Sequence, residues 1–125
     1  MNRVIIATLL LLITLFFSIF GSMFADSKGE IFENEINILK EKIAARDTSC
    51  IESSYQIIKK WKKAHEALSL YMSHDRIGVL DETLSQIPSY LEFGNFADAI
   101  SLCDKFSRQL SDLIKNEKVT LGNIL

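Results

Sequence analysis

The sequence predicts an all-α protein, an N-terminal transmembrane helix followed by an antiparallel four-helix bundle. Three observations carry that expectation. The chain of 125 residues opens on an uncharged apolar run, Val4 to Ala25. Beyond it, apolar residues recur every three or four positions, the period of helices with one buried face. Only five Gly and one Pro punctuate the chain, too few for the turns of an all-β domain. Residues 26–125 suffice for one small domain.

The run VIIATLLLLITLFFSIFGSMFA spans about 33 Å as a helix, against a hydrocarbon core of about 30 Å. A cleaved signal has a shorter apolar core, about 7–15 residues, and ends in a small-x-small site. Here a cut after Ala25 would place Met23, which is not small, at the critical position. Residues 1–25 are therefore read as an uncleaved anchor that contacts the lipid bilayer through residues 4–25. Arg3 favours a cytoplasmic N-terminus, whereas Lys28, Lys40 and Lys42 pull the other way. Long trailing domains cross largely regardless of charge, so residues 26–125 are expected to be extracytoplasmic, on a single-pass protein of the cell membrane.

Gly21, Ser22 and Asp26-Ser27-Lys28-Gly29 interrupt the apolar pattern and suggest a joint. Ser27-x-x-Glu30 reads as a capping box for a first bundle helix over about 27–45, with the stripe Phe32, Ile36, Leu39 and Ile43. Arg46-Asp47-Thr48 breaks the pattern. Ser49-x-x-Glu52 is a second capping box, opening a helix over about 49–73 along Ile51, Tyr55, Ile58, Trp61, His65, Leu68 and Met72. After Ser73-His74-Asp75, the stripe Ile77, Leu80, Leu84, Ile87 and Leu91 predicts a third helix, about 75–92, which Pro88 should kink or shorten. Gly94-Asn95 makes the next turn, with Asn95 as N-cap. Phe96, Ile100, Cys103, Phe106, Leu110 and Leu113 mark a fourth helix over about 96–116. Beyond it Val119, Leu121, Ile124 and Leu125 have no period and could fold back on the bundle. The turns at Arg46-Asp47 and Gly94-Asn95 are 48 positions apart, which hints at two stacked helical hairpins.

Charge limits the function classes. Arg3 alone of 14 basic residues precedes Asp26, which is the first of the 16 acidic residues. A mildly acidic, well-mixed domain argues against nucleic acid as a partner. The run Lys59-Lys60-Trp61-Lys62-Lys63 separates at 100° per residue into a buried Trp61 and a solvated basic face. His65 and His74, nine positions apart, point to opposite sides of any single helix, so no metal or cofactor is expected from them. His65 falls in the core stripe; His74 sits at a turn, placed to cap the preceding helix or pair with Asp75. Cys50 and Cys103 lie on helices that run in the same direction, offset by about 9 Å along the axis, too far for a disulfide. No nucleophile with its base, phosphate loop or isolated carboxylate pair occurs, and an enzyme is not expected.

From Trp61 onward the text KKWKKAHEALSLYMSHDRIGVLDETLSQIPSYLEFGNFADAISLCDKF resembles the domain-of-unknown-function family number four-three-six-three, short single-pass helical proteins of clostridia and bacilli. The resemblance rests on Trp61, His74, Ile77, Leu84, the hairpin Asn95-Phe96-Ala97-Asp98-Ala99 and the terminal Leu121-x-Asn123-Ile124-Leu125. It implies the helical architecture and the anchor, and no reaction. Trp61, His65, His74 and Asn123 are the candidate structural or interaction positions. The expected role is non-catalytic: a scaffold or interaction module at the cell envelope, binding another membrane or envelope protein or itself. Apolar residues off the stripes, Ile38, Ile57, Tyr71 and Tyr90, could supply the contact face. The alternative is a small-ligand or metal-sensing domain around Trp61, His65 and His74.

Overall fold

The computed structural model describes the backbone of residues 2–124 and the side chains of residues 2–116. Four helices account for most of the described residues: α1 (Asn2–Ala44), α2 (Cys50–Leu68), α3 (His74–Glu92) and α4 (Phe96–Ile124). Helices adjacent in sequence pack against one another, and α4 closes the ring on α1, leaving α2 and α4 to face each other across the centre. This is the predicted antiparallel four-helix bundle, two hairpins side by side.

The predicted joint between anchor and bundle does not exist. α1 runs unbroken for 43 residues, about 64 Å, and Ser27 is an exposed residue inside it rather than a cap. Its buried positions are Gly21, Ala25, Gly29, Phe32, Ile36, Leu39 and Ile43, a single helical stripe. Each Gly costs a helix about 1 kcal/mol relative to Ala. Here the glycines let neighbours approach instead of turning the chain. A Cβ on Gly21 would fall 2.6 Å from Cδ1 of Tyr71, and one on Gly29 would run into Cδ1 of Ile114. Residues N-terminal to Gly21 leave the bundle, and nearly all of them are exposed.

α2 buries Cys50, Ser54, Ile57, Trp61, Ala64 and Leu68. The predicted stripe shares Trp61 and Leu68 with this set but is rotated by one residue before them. Ile57 is thereby core rather than contact face, and Tyr55 is 50% exposed, its hydroxyl donating to Glu92 Oε1 at 2.6 Å. Tyr71 and Tyr90 are half-buried against the core, while Ile38 remains exposed. The helix ends at Leu68, not near 73. Met72 still bonds Leu68 O through its N–H, which preserves the helical spacing that made the segment read as helix.

Ser49 forms no side-chain cap. Asp47 does that work from two residues earlier, its Oδ1 accepting the Ser49 N–H at 2.9 Å. That bond holds the Asp47 carboxyl below its usual range. The two turns that join α1 to α2 and α3 to α4 are built alike. Arg46 and Gly94 have positive φ, 57° and 76°. Asp47 N–H bonds Lys42 O and Arg46 N–H bonds Ile43 O; Asn95 N–H bonds Tyr90 O and Gly94 N–H bonds Leu91 O. Both are Schellman motifs, and the repeat hinted at by their spacing is real at this level.

α3 begins at His74 and continues through Pro88 to Glu92, so the proline does not end it. Proline already has a helical φ, and its ring is buried beside Ile87 and Leu91. α4 reaches Ile124, beyond the predicted end at 116, so residues 119–124 continue the helix instead of taking the fold-back that the sequence allowed. The side chains of Val119, Leu121, Asn123, Ile124 and Leu125 lie outside the described residues.

Candidate functional site

Trp61 sits at the middle of the bundle, 1% exposed, because the α2 stripe puts it opposite α4. Its ring meets Phe32 of α1 and Phe106 of α4 edge-on, at centroid distances of 5.0 and 5.3 Å. Edge-to-face contact of this kind adds to the burial itself. A fully buried indole still needs a partner for its N–H, and Asp81 of α3 provides one: Trp61 Nε1 donates to Asp81 Oδ1. One turn along α2, His65 Nδ1 lies 2.7 Å from the other oxygen, Oδ2. The carboxylate therefore ties two α2 side chains to α3.

His74, the first residue of α3, brings its ring edge-on to that of His65 at 5.2 Å. In one helix the pair would point apart. The turn at Ser69–Ser73 reverses the chain between them, and they meet. His74 opens α3 directly after that turn and is exposed. Trp61 and His65 thus share Asp81 and His74 meets His65 edge-on, while the side chain of Asn123 lies outside the described residues. Among the described residues, no group of three or more His, Cys, Asp or Glu could hold a metal ion.

Asp81 is the residue that the sequence reading missed. A signal was present. In an antiparallel hairpin, positions equidistant from the turn lie level, and Trp61 and Asp81 are equidistant from Tyr71. Lys60 and Glu35, 2.7 Å apart, are level about the α1–α2 turn in the same way, while Thr83 with Gln109 at 2.7 Å and Lys40 with Asp104 at 2.5 Å link α3 to α4 and α1 to α4. Lys59, Lys60, Lys62 and Lys63 are all exposed, the expected basic face.

Both cysteines are free and buried. Burial pushes the Cys103 thiol up to about 12, with Asp104 adding to the effect, so it stays protonated and unreactive near neutrality.

A concavity of about 430 Å³ lies where α1 leaves the bundle. Ile13, Phe17 and Gly21 form one wall, and Leu70, Tyr71 and Met72 of the α2–α3 turn form the other. The surface is mostly apolar; Thr14 on its wall donates its hydroxyl to Leu10 O within the same helix. α1 is long and apolar enough to cross a membrane, and its apolar window is only 6% buried in the bundle.

No curated protein matches the chain, and no solved structure does. One family model matches residues 20–124, from the last turns of the apolar run through the end of α4. By that match, which spans the whole bundle, the chain belongs to the family described as Domain of unknown function (DUF4363).

Proposed function

We propose that the protein is a single-pass membrane protein that works without catalysis, as an interaction or scaffold module at the cell envelope. In this reading residues 4–25 cross the bilayer, the N-terminus is cytoplasmic and the bundle lies outside. Its partner is another membrane or envelope protein, or a second copy. The observation that carries it is the division of α1. The half that joins the bundle is packed, whereas its apolar half is bare and needs lipid or protein around it. Ile31 and Ile38, seven residues apart on α1, stay exposed beyond the apolar run and extend an apolar face out of the membrane.

The test is photo-crosslinking in cells from position 38 of the full chain, followed by purification. A discrete adduct, with itself or another envelope protein, is expected. Recovery of monomer alone would overturn the reading.

A second reading has one observation in its favour. The His65–His74 pair beside Asp81 presents polar groups at the edge of the α2–α3 face, next to a buried Trp61 whose emission would report a bound small ligand. A panel of ligands and metal ions should then raise the melting temperature of the full chain in detergent. No shift across the panel would remove it.

A further inference from the structure

We infer that the α2–α3 turn enters the bilayer beside α1, with Leu70 as its inserted side chain, and that lipid acyl chains fill the groove between them. The inference rests on the proposed crossing of α1. If residues 4–25 span the hydrocarbon, its midplane falls near residues 14–15. At 1.5 Å per residue Gly21 then lies about 10 Å from the midplane, roughly 5 Å inside the hydrocarbon edge. Tyr71 rests on Gly21, so the turn shares its depth. Leu70, 80% exposed, reaches further, since it lines the groove with Ile13 and Phe17.

The surroundings are those of an interface. Tyr71 and Phe24 pair at 6.0 Å in the band where aromatic residues gather at membrane surfaces. Lys28 holds its Nζ over the Phe24 ring, 5.6 Å from the centroid, a cation–π contact that puts a charged group at the edge of this band. The backbone of the turn is also prepared for a dry environment. Unpaired N–H groups are costly in hydrocarbon. Here four consecutive donors are used: Ser69 N–H to His65 O, Leu70 N–H to Ala67 O, and Tyr71 and Met72 N–H to Leu68 O. Ser69 Oγ also donates internally, to Glu66 O.

The experiment uses the full chain in lipid nanodiscs, with an environment-sensitive fluorophore on single introduced cysteines and nitroxide-labelled lipids as quenchers. The native cysteines are buried and do not compete for label. Probes go at Leu70→Cys, at Ser18→Cys on the groove wall, at Leu12→Cys within the span, and at Phe93→Cys. Phe93 is 83% exposed but lies on the turn at the opposite end of the bundle. Quenching at 12, 18 and 70, with none at 93, is the expected result. A probe at 70 that behaves like the one at 93 would overturn the inference while leaving α1 in the membrane. A blue-shifted probe at 70 that nitroxide lipids do not quench would mean that a second copy or another protein covers Leu70, and would overturn it too. A silent probe at 18 would remove the acyl-filled groove. No quenching at 12 would remove the crossing of α1, and this inference with it.

Discussion

Tyr71 lies so close over Gly21 that a methyl group there would come within 2.6 Å of Cδ1 of the ring and 3.0 Å of Cε1. The contact fastens the base of the bundle to the helix that leaves it. Gly21→Ala should gain about 1 kcal/mol in helix propensity and lose about 1–3 kcal/mol to overpacking, a net destabilisation. In a Tyr71→Ala background the same change should become stabilising. Urea unfolding in detergent, followed by the emission of the single tryptophan, measures both. Equal effects in the two backgrounds would show that the ring does not sit on the glycine. Gly29→Ala should cost less, because what it meets is the terminal methyl of Ile114, which can swing aside.

Asp81 should be worth more to stability than its half-exposed surface suggests. Asp81→Ala leaves the Trp61 indole N–H buried without its partner, at a cost of about 1–3 kcal/mol. In a Trp61→Phe background most of that cost should vanish, as a double-mutant cycle would read. Additive losses would mean that the carboxylate does not hold the indole.

The two Schellman turns differ in one residue type. Arg46 pays for its left-handed backbone, which Gly94 occupies freely, yet its guanidinium lies 4.1 Å from the centroid of the Phe96 ring. Arg46→Gly should relieve about 1 kcal/mol of backbone strain and forfeit a cation–π contact of about 0.5–1 kcal/mol. A near-neutral change in the native chain, turning into a clear gain with Phe96→Leu, is expected from thermal melts. Gly94→Ala should destabilise by about 1 kcal/mol in either background.

Cys103 sets an alkaline limit. Its thiol is raised in the folded chain, so the folded state keeps a proton that the unfolded state releases above about 9. The stabilisation is complete below that pH and declines as pH rises toward 12. Between pH 8 and pH 10 the native chain should lose about 1 kcal/mol more than a Cys103→Ala variant, measured by urea unfolding at each pH. Parallel losses in both would count against a buried, protonated thiol.

The class, the four helices and the positions of the distal turns were legible because the apolar period is local. What was not legible depends on a neighbour. Gly21 and Gly29 look like a hinge until Tyr71 and Ile114 are placed against them. The α2 stripe could be drawn through Tyr55 and Ile58 or through Ser54 and Ile57, because both include Trp61 and Leu68; burial of a small serine, its hydroxyl bonded to Ile51 O at 2.6 Å, decides for the second. The candidate cluster needed the reversal at Ser69–Ser73 to bring His74 to His65 and Asp81 to both Trp61 and His65. Trp61 alone could be assigned to the core from its own helix.

The absence of a joint in α1 gives the molecule a lever. A swivel would let the bundle reorient while the apolar half of α1 stayed fixed. A continuous helix, braced at Gly21 and Gly29, makes both halves tilt as one body. The bundle portion of α1, residues 26–44, is about 28 Å long, so under the proposed crossing of residues 4–25 a 10° lean would carry the Arg46 end sideways by about 5 Å. On that proposal, a partner that pressed on the Arg46 end would in turn be felt among the lipids.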